Sequence, residues 1–192
     1  MVSASHNAMP DNGLKLFGPG GWKLPDAVEV ALEAGLGAVR ERPTGLELGT
    51  IAPADPALIG SYAEDLLAAL PAPATGLTVV VDCAQGAGST LAPALYRRAG
   101  ATVVAIAADG DGARINDGSG ATHLELLQTA VLEHGADLGL AHDGDADRCL
   151  AVDATGAVVD GDQLLALLAV ALQSRGQLVT GTVVATVMSN LG

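Results

Sequence analysis

Short runs rich in β-branched residues alternate with capped helical stretches along this chain, and that order constrains its fold more than any other feature. The β-rich runs fall at residues 77–81, 102–106, 138–141, 150–152 and 183–187. Helix signals separate or flank them. Asp26 with Glu29 forms a capping-box pattern, with Gly35 or Gly37 as the stop. Asp55 followed by Pro56 reads as a cap with proline at the first helical position, closed by Pro71. Ser89 caps a third helix that ends in Arg97 and Arg98, where cations suit the C-terminus. Thr122 with Glu125 repeats the box ahead of Gly135, and Asp162 opens a fifth helix that ends at Arg175 and Gly176. Strands separated by helices need crossover connections, so the chain predicts an α/β fold of mixed, largely parallel sheets covered by helices. Run 77–81 is nearly all apolar, as befits a strand buried on both faces. Residues 1–24 are instead turn-rich, with one short strand candidate at 14–17.

Composition narrows the function. Nine Lys and Arg against 22 Asp and Glu leave a net charge of -13, which repels phosphate backbones. One Phe, one Trp and two Tyr provide little to stack on bases, so no nucleic-acid partner is expected. The longest apolar run, residues 164–172, is too short to cross a bilayer, and no basic-then-apolar leader opens the chain. Cys83 and Cys149 lack CxxC spacing and read as small buried hydrophobes. No membrane association and a reducing, cytoplasmic setting follow as expectations.

Asp143-Gly144-Asp145-Ala146-Asp147-Arg148 is the stretch richest in chemistry. Carboxylates on alternate residues share one side of an extended segment or converge in a loop. At roughly 5–6 Å and an effective dielectric near 20, each pair repels by about 3 kcal/mol. A cation offsets this, and an all-oxygen set suits Mg²⁺ or Ca²⁺. An EF-hand needs Gly and Glu where Arg148 and Ala154 stand. The haloacid-dehalogenase phosphatase pattern fails at Asp147. A solvated acidic turn is the plain alternative, and the apolar runs on both sides weigh against it. Near the start, Ser3-Ala4-Ser5-His6-Asn7 is followed by Asp11-Asn12-Gly13-Leu14-Lys15, whose Asn-Gly step suggests a hairpin returning toward the serines. No GxSxG occurs, so a serine hydrolase is a poor match. Gly86 and Gly88 begin a dinucleotide-type pattern that Leu91 breaks.

Together these stretches resemble the α-D-phosphohexomutases. The resemblance rests on residues 1–7 and 11–15 as a phosphoserine loop and its following strand. It continues through residues 79–89, through residues 143–148 as a metal loop, and through residues 158–162 and 181–192. Ala8 departs from it, standing where the family usually has Pro. The resemblance implies phosphohexomutase-type domains: 1–72 as the C-terminal part of a first domain, 73–157 as a second and 158–192 as the beginning of a third. A chain so divided is expected to lack parts of the full enzyme and not to complete a cycle alone. It implies that Ser5 carries a phosphoryl group and that Ser5, Asp143, Asp145 and Asp147 hold one Mg²⁺. Arg148 would pair with the phosphoserine, while Lys15 and His6 would serve proton transfer and positioning. The implied substrate is a hexosamine phosphate, and residues 115–123 are similar to the glucosamine branch. The implied reaction interconverts glucosamine 6-phosphate and glucosamine 1-phosphate through a bisphosphate, feeding UDP-N-acetylglucosamine and cell-wall synthesis. A homodimer is compatible with the full-length enzyme. A phosphomannomutase or phosphoglucomutase of the same family, a non-catalytic metal-binding module, and a phosphatase with Asp143 as nucleophile stay open as alternatives.

Overall fold

Strand β3 (Thr78–Asp82) lies within a five-stranded sheet because both of its faces are apolar. Two short strands precede it, β1 (Val2–Ser3) and β2 (Gly13–Leu14), paired antiparallel with Val2 opposite Leu14 and Ser3 opposite Gly13. The computed structural model describes residues 1–38, 42–53 and 55–189. Positions 39–41 and 54 of the first segment, and 190–192 at the end of the 181–192 stretch, lie outside them.

The main sheet has the order β4-β3-β5-β6-β7, with β4 (Thr102–Ile106), β5 (Leu138–His142), β6 (Cys149–Asp153) and β7 (Val158–Val159). Pairing is parallel from β4 through β3 to β5 and antiparallel from β5 through β6 to β7, so the sheet is mixed. Helices α1 (Asp26–Gly35) and α2 (Pro56–Ala68) precede the sheet. Helix α3 (Gly88–Arg98) joins β3 to β4, and α4 (Glu125–His134) returns the chain past β3 to β5. Strand alternation then places α3 and α4 on opposite faces. Val79, Val81 and Cys83 pack with Ala92 of α3. Val80 packs with Leu127, Ala130 and Val131 of α4, and with Ala141 and Val152. Each fully buried Leu or Val contributes about 1.5–3 kcal/mol relative to exposure.

This topology sends the chain to opposite sides of β3 in successive crossovers. The loops after β3 and β5 therefore open a crevice at the carboxyl end of the sheet, where α/β sites form. The chain following β4 reaches the same end.

Several local expectations need correction. Residues 183–187 form no strand; they are exposed and have no ladder partner among the described residues. Helix α5 (Gly161–Ser174) begins at Asp160 rather than Asp162, because Asp160 and Gln163 complete a reciprocal capping box. Asp26 and Glu29 do not cap α1, whose N-cap is Pro25; both instead pair with Lys23, at 3.1 and 3.4 Å. Thr122 likewise does not cap α4, whose N-cap is Leu124, and Ser89 lies inside α3 and bonds the Gly86 carbonyl. Asn12-Gly13 is not a two-residue hairpin turn, since β2 begins at Gly13 and pairs with Ser3 across a long loop. Cys149 is exposed, while Cys83 is buried; both are free. Among the described residues no helix is long and apolar enough to cross a membrane.

Candidate active site

Three loops meet at the carboxyl end of the sheet, and backbone hydrogen bonds lock them together. The Ala87 amide donates to the Gly144 carbonyl at 2.8 Å, and the Gly144 amide donates to the Ser5 carbonyl at 3.0 Å. Gly144 has no room for a side chain: a Cβ there would lie 2.6 Å from the Ser5 carbonyl oxygen and 2.8 Å from the Asn116 side-chain nitrogen. Glycine is required by space rather than by backbone angle.

The contact brings together residues separated by more than a hundred positions. Lys15 Nζ lies 2.7 Å from Asp145 Oδ2 and 3.9 Å from Asp147 Oδ2. Ser3 Oγ donates to the same Asp145 oxygen at 2.5 Å. Arg148 turns toward the acidic loop, with Nε 3.8 Å from Asp143 Oδ2 and 3.9 Å from Asp147 Oδ1. Ser5 is half-buried, and its amide donates to Ser3 Oγ at 2.9 Å. His6 follows in the same loop, with its Nδ1 buried and without a partner.

Asp143, Asp145 and Asp147 each offer an oxygen, all within 4.8 Å of one another. Asp143 is fully buried, and its Oδ1 accepts from the Arg148 amide at 3.2 Å. Asp143 Oδ2 and Asp145 Oδ1 are buried without a hydrogen-bond donor. An ionised carboxylate can only accept, so each unpaired oxygen costs desolvation energy until a donor or cation reaches it. Burial pushes the Asp143 carboxyl above its usual range, and the neighbouring Asp145 and Asp147 charges push the same way. Burial also pushes Asp145 up, but hydrogen bonds from Lys15 and Ser3 and the Lys15 charge outweigh it and hold it low. The same Asp145 bond raises Lys15 above its usual value, so Lys15 is a cation at neutral pH. Three oxygen donors with two unsatisfied atoms fit a hard divalent cation, and Mg²⁺ belongs to that class.

Backbone conformation marks the same place. Among the described residues, the non-glycine positions with left-handed φ are Ser5 (50°), Ala84 (52°), Gln85 (53°), Ala107 (44°), Asn116 (57°) and Ala146 (59°). All six lie in loops at this end of the sheet. Such conformations cost of order 1–3 kcal/mol each and gather at functional sites. Asp82 pins two of these loops: it is fully buried and accepts from the Ala84 amide at 2.9 Å and the Gly120 amide at 2.8 Å. Burial raises its carboxyl despite these two donors. A hollow of about 500 Å³ lined by Lys15, Phe17, Lys23, Asp145 and Asp147 opens beside the triad.

Sequence reading assigned no role to Ser3, Asn116, Tyr96 or Asp82. Ser3, rather than Ser5, holds Asp145. Asn116 donates from its side chain to the Ser5 and Asn7 carbonyls, both at 2.8 Å. Tyr96 and His142, which the chain separates widely, meet at 3.1 Å. Only Asp82, ending an apolar strand ahead of a glycine-bearing turn, carried a signal that could have been read.

Comparison with known proteins matches the chain to one family. The family model described as phosphoglucomutase/phosphomannomutase, alpha/beta/alpha domain II, matches residues 61–156, and the corresponding domain I model matches residues 1–42. The phosphoglucosamine mutase of Frankia casuarinae is 65% identical over 100% of this chain and 42% of its own length. That of Rhodococcus erythropolis is 61% identical over 100% of this chain and 43% of its own. The chain thus spans about two fifths of the length of these curated relatives. A crystal structure of a phosphoglucomutase/phosphomannomutase family protein from Burkholderia thailandensis superposes with a TM-score of 0.70 at 27% identity, covering 91% of this chain and 37% of that one.

Proposed function

The chain belongs to the phosphoglucomutase/phosphomannomutase family, and on that premise we propose that it forms the phosphoryl-transfer centre of a phosphoglucosamine mutase. The observation that carries this reading is the junction of the Ser3–Ser5 loop and Lys15 with three clustered carboxylates, two of which hold unsatisfied buried oxygens. The names of the relatives point the same way.

In this reading Ser5 Oγ carries the phosphoryl group. The hydroxyl of a hexosamine monophosphate attacks that phosphorus; a P–O bond to the sugar forms as the P–Oγ bond breaks. The sugar hydroxyl loses a proton and Ser5 Oγ regains one. The bisphosphate reorients, and the reverse transfer of its other phosphoryl restores the phosphoserine, so no proton is consumed overall. Lys15 enters as a cation and is suited to steer the phosphoryl or donate a proton. His6, with a free ring nitrogen in the loop, is suited to accept one. Arg148 sits beside the acidic loop, where it would grip the phosphoserine oxygens. Asp143, Asp145 and Asp147, with Ser5, would hold Mg²⁺, which when bound neutralises charge on the transferring group.

We assign residues 1–72 to the end of a first domain, 73–157 to a second and 158–192 to the start of a third. The location proposed is the cytoplasm, in keeping with two free cysteines. Turnover of glucosamine 1-phosphate, mannose 1-phosphate and glucose 1-phosphate by the full-length enzyme, each with its bisphosphate primer and Mg²⁺, tests the reading. Preference for the glucosamine substrate is expected; preference for mannose 1-phosphate refutes it.

A further inference from the structure

We propose that Asn116 is a positioning residue that clamps the serine loop onto the acidic loop through its side-chain amide. The inference rests on the phosphoryl-transfer reading above and goes beyond it, because Asn116 touches none of the groups assigned there to chemistry. Its Nδ2 donates to the carbonyls of Ser5 and Asn7, both at 2.8 Å, from 111 and 109 residues away in the chain. Those two carbonyls bracket His6, so one amide group fixes the backbone on both sides of the loop's centre.

The clamp is itself held rigidly. Asn116 is buried, and its backbone amide donates to the Ala84 carbonyl at 3.0 Å. Its backbone is left-handed at φ 57°, a conformation asparagine tolerates better than most residues. Ser5 is left-handed too, at φ 50°, and serine has no such tolerance, so an outside restraint must hold it. The Ser5 carbonyl accepts two donors, Gly144 N and Asn116 Nδ2, which ties serine loop, acidic loop and the segment after β4 at one atom. Through that atom Asn116 sets where the Ser5 side chain stands relative to Asp143, Asp145 and Asp147.

Two substitutions separate the amide from the backbone it sits on. Asn116→Gly keeps the left-handed conformation and deletes the donor. Asn116→Asp keeps size and shape but turns a carboxylate oxygen toward two carbonyls. Backbone amide exchange and Mg²⁺ titration, both followed by NMR on the 192-residue chain, read the result. In the parent protein Mg²⁺ should shift the resonances of residues 5–7 and 143–147 together. In both variants, protection of the Ser5 and Asn7 amides should fall about tenfold or more relative to β3 and β5, and Mg²⁺ should shift residues 143–147 alone.

Asn116→Asp with parental protection and a parental response at residues 5–7 overturns the clamp. So does an equal loss of protection in loop and sheet, which would mean a role in fold stability only. Should either variant fail to fold, the parent still decides: the Asn116 side-chain amide protons must exchange about tenfold more slowly than those of exposed Asn7. Equal rates overturn the proposal. If Mg²⁺ shifts nothing in the parent while the variants lose loop protection as stated, the clamp stands and the metal reading falls.

Discussion

Replacing Asp143 by Asn should stabilise the metal-free protein and abolish its response to Mg²⁺. Asn keeps an oxygen for the Arg148 amide and replaces the unpaired Oδ2 with a neutral group. It removes two repulsions within the triad, where ligand oxygens lie within 4.8 Å. Each is about 3.5 kcal/mol at that distance and an effective dielectric of 20. Lys15 already offsets the Asp145 charge, solvent screens Asp147, whose side chain is 58% exposed, and Arg148 loses a partner 3.8 Å away. About 1 kcal/mol should survive these discounts. For a domain of this size that is a rise in Tm of about 2–4 °C in EDTA. The parent, in Mg²⁺ at about a hundred times its Kd, should gain about 2.7 kcal/mol, or roughly 5–10 °C, and the variant nothing. Asp143 is raised in the folded state, so the parent binds more protons folded than unfolded and recovers stability on acidification through that window. The advantage of the variant in EDTA must therefore shrink as pH falls from neutrality into the carboxylate range. A variant less stable than the parent in EDTA at pH 7 would show that the buried oxygen is not electrostatically frustrated. Equal Mg²⁺ stabilisation of both would show that the triad does not hold the ion.

Phosphopeptide mapping of the active enzyme should place the phosphoryl group on Ser5, and phosphate confined to Ser3 would transfer the carrier role to the residue that already bonds Asp145. Gly144→Ala should cost about 1–3 kcal/mol in urea unfolding, since its Cβ would lie 2.7 Å from Ile115 as well as against the Ser5 carbonyl. Burial lowers the His142 ring below its ordinary value, so the folded protein binds fewer protons there than the unfolded chain. Stability should then fall as pH drops below about 6.5, and His142→Gln should flatten that part of the profile; an unchanged slope would assign the loss to other groups.

The strands that structure the sheet were legible because their sequence and their burial coincide. Residues 102–106 pair over their whole predicted length, and 77–81 is shifted by a single position. Residues 183–187 have the same β-branched composition and form no strand, because a strand is stabilised by cross-strand neighbours that local sequence does not contain. Caps failed in a similar way. Asp160 and Asp162 both satisfy the rule for a helix start, and only the reciprocal bond with Gln163 decides between them.

The acidic loop was legible because its three carboxylates are neighbours in sequence, and spacing alone states their mutual repulsion. Ser3 and Lys15 bond Asp145 from 142 and 130 residues away, and Asn116 reaches the serine loop from 111 residues beyond Ser5. No periodicity or local motif encodes such a meeting, which exists only because successive crossovers carry the loops after β3, β4 and β5 to one end of the sheet. The backbone bears the consequence. Six non-glycine residues are held left-handed there, at of order 1–3 kcal/mol each, against the preference of their own side chains. That local cost is sustained by the buried core beneath, where Val80, Val81, Leu127 and Val131 are fully enclosed. A site built this way should lose its geometry before it loses its sheet. Mild urea is therefore expected to release amide protection at Ser5, Asn116 and Ala146 well before that of β3, and simultaneous loss at all four places would refute the argument.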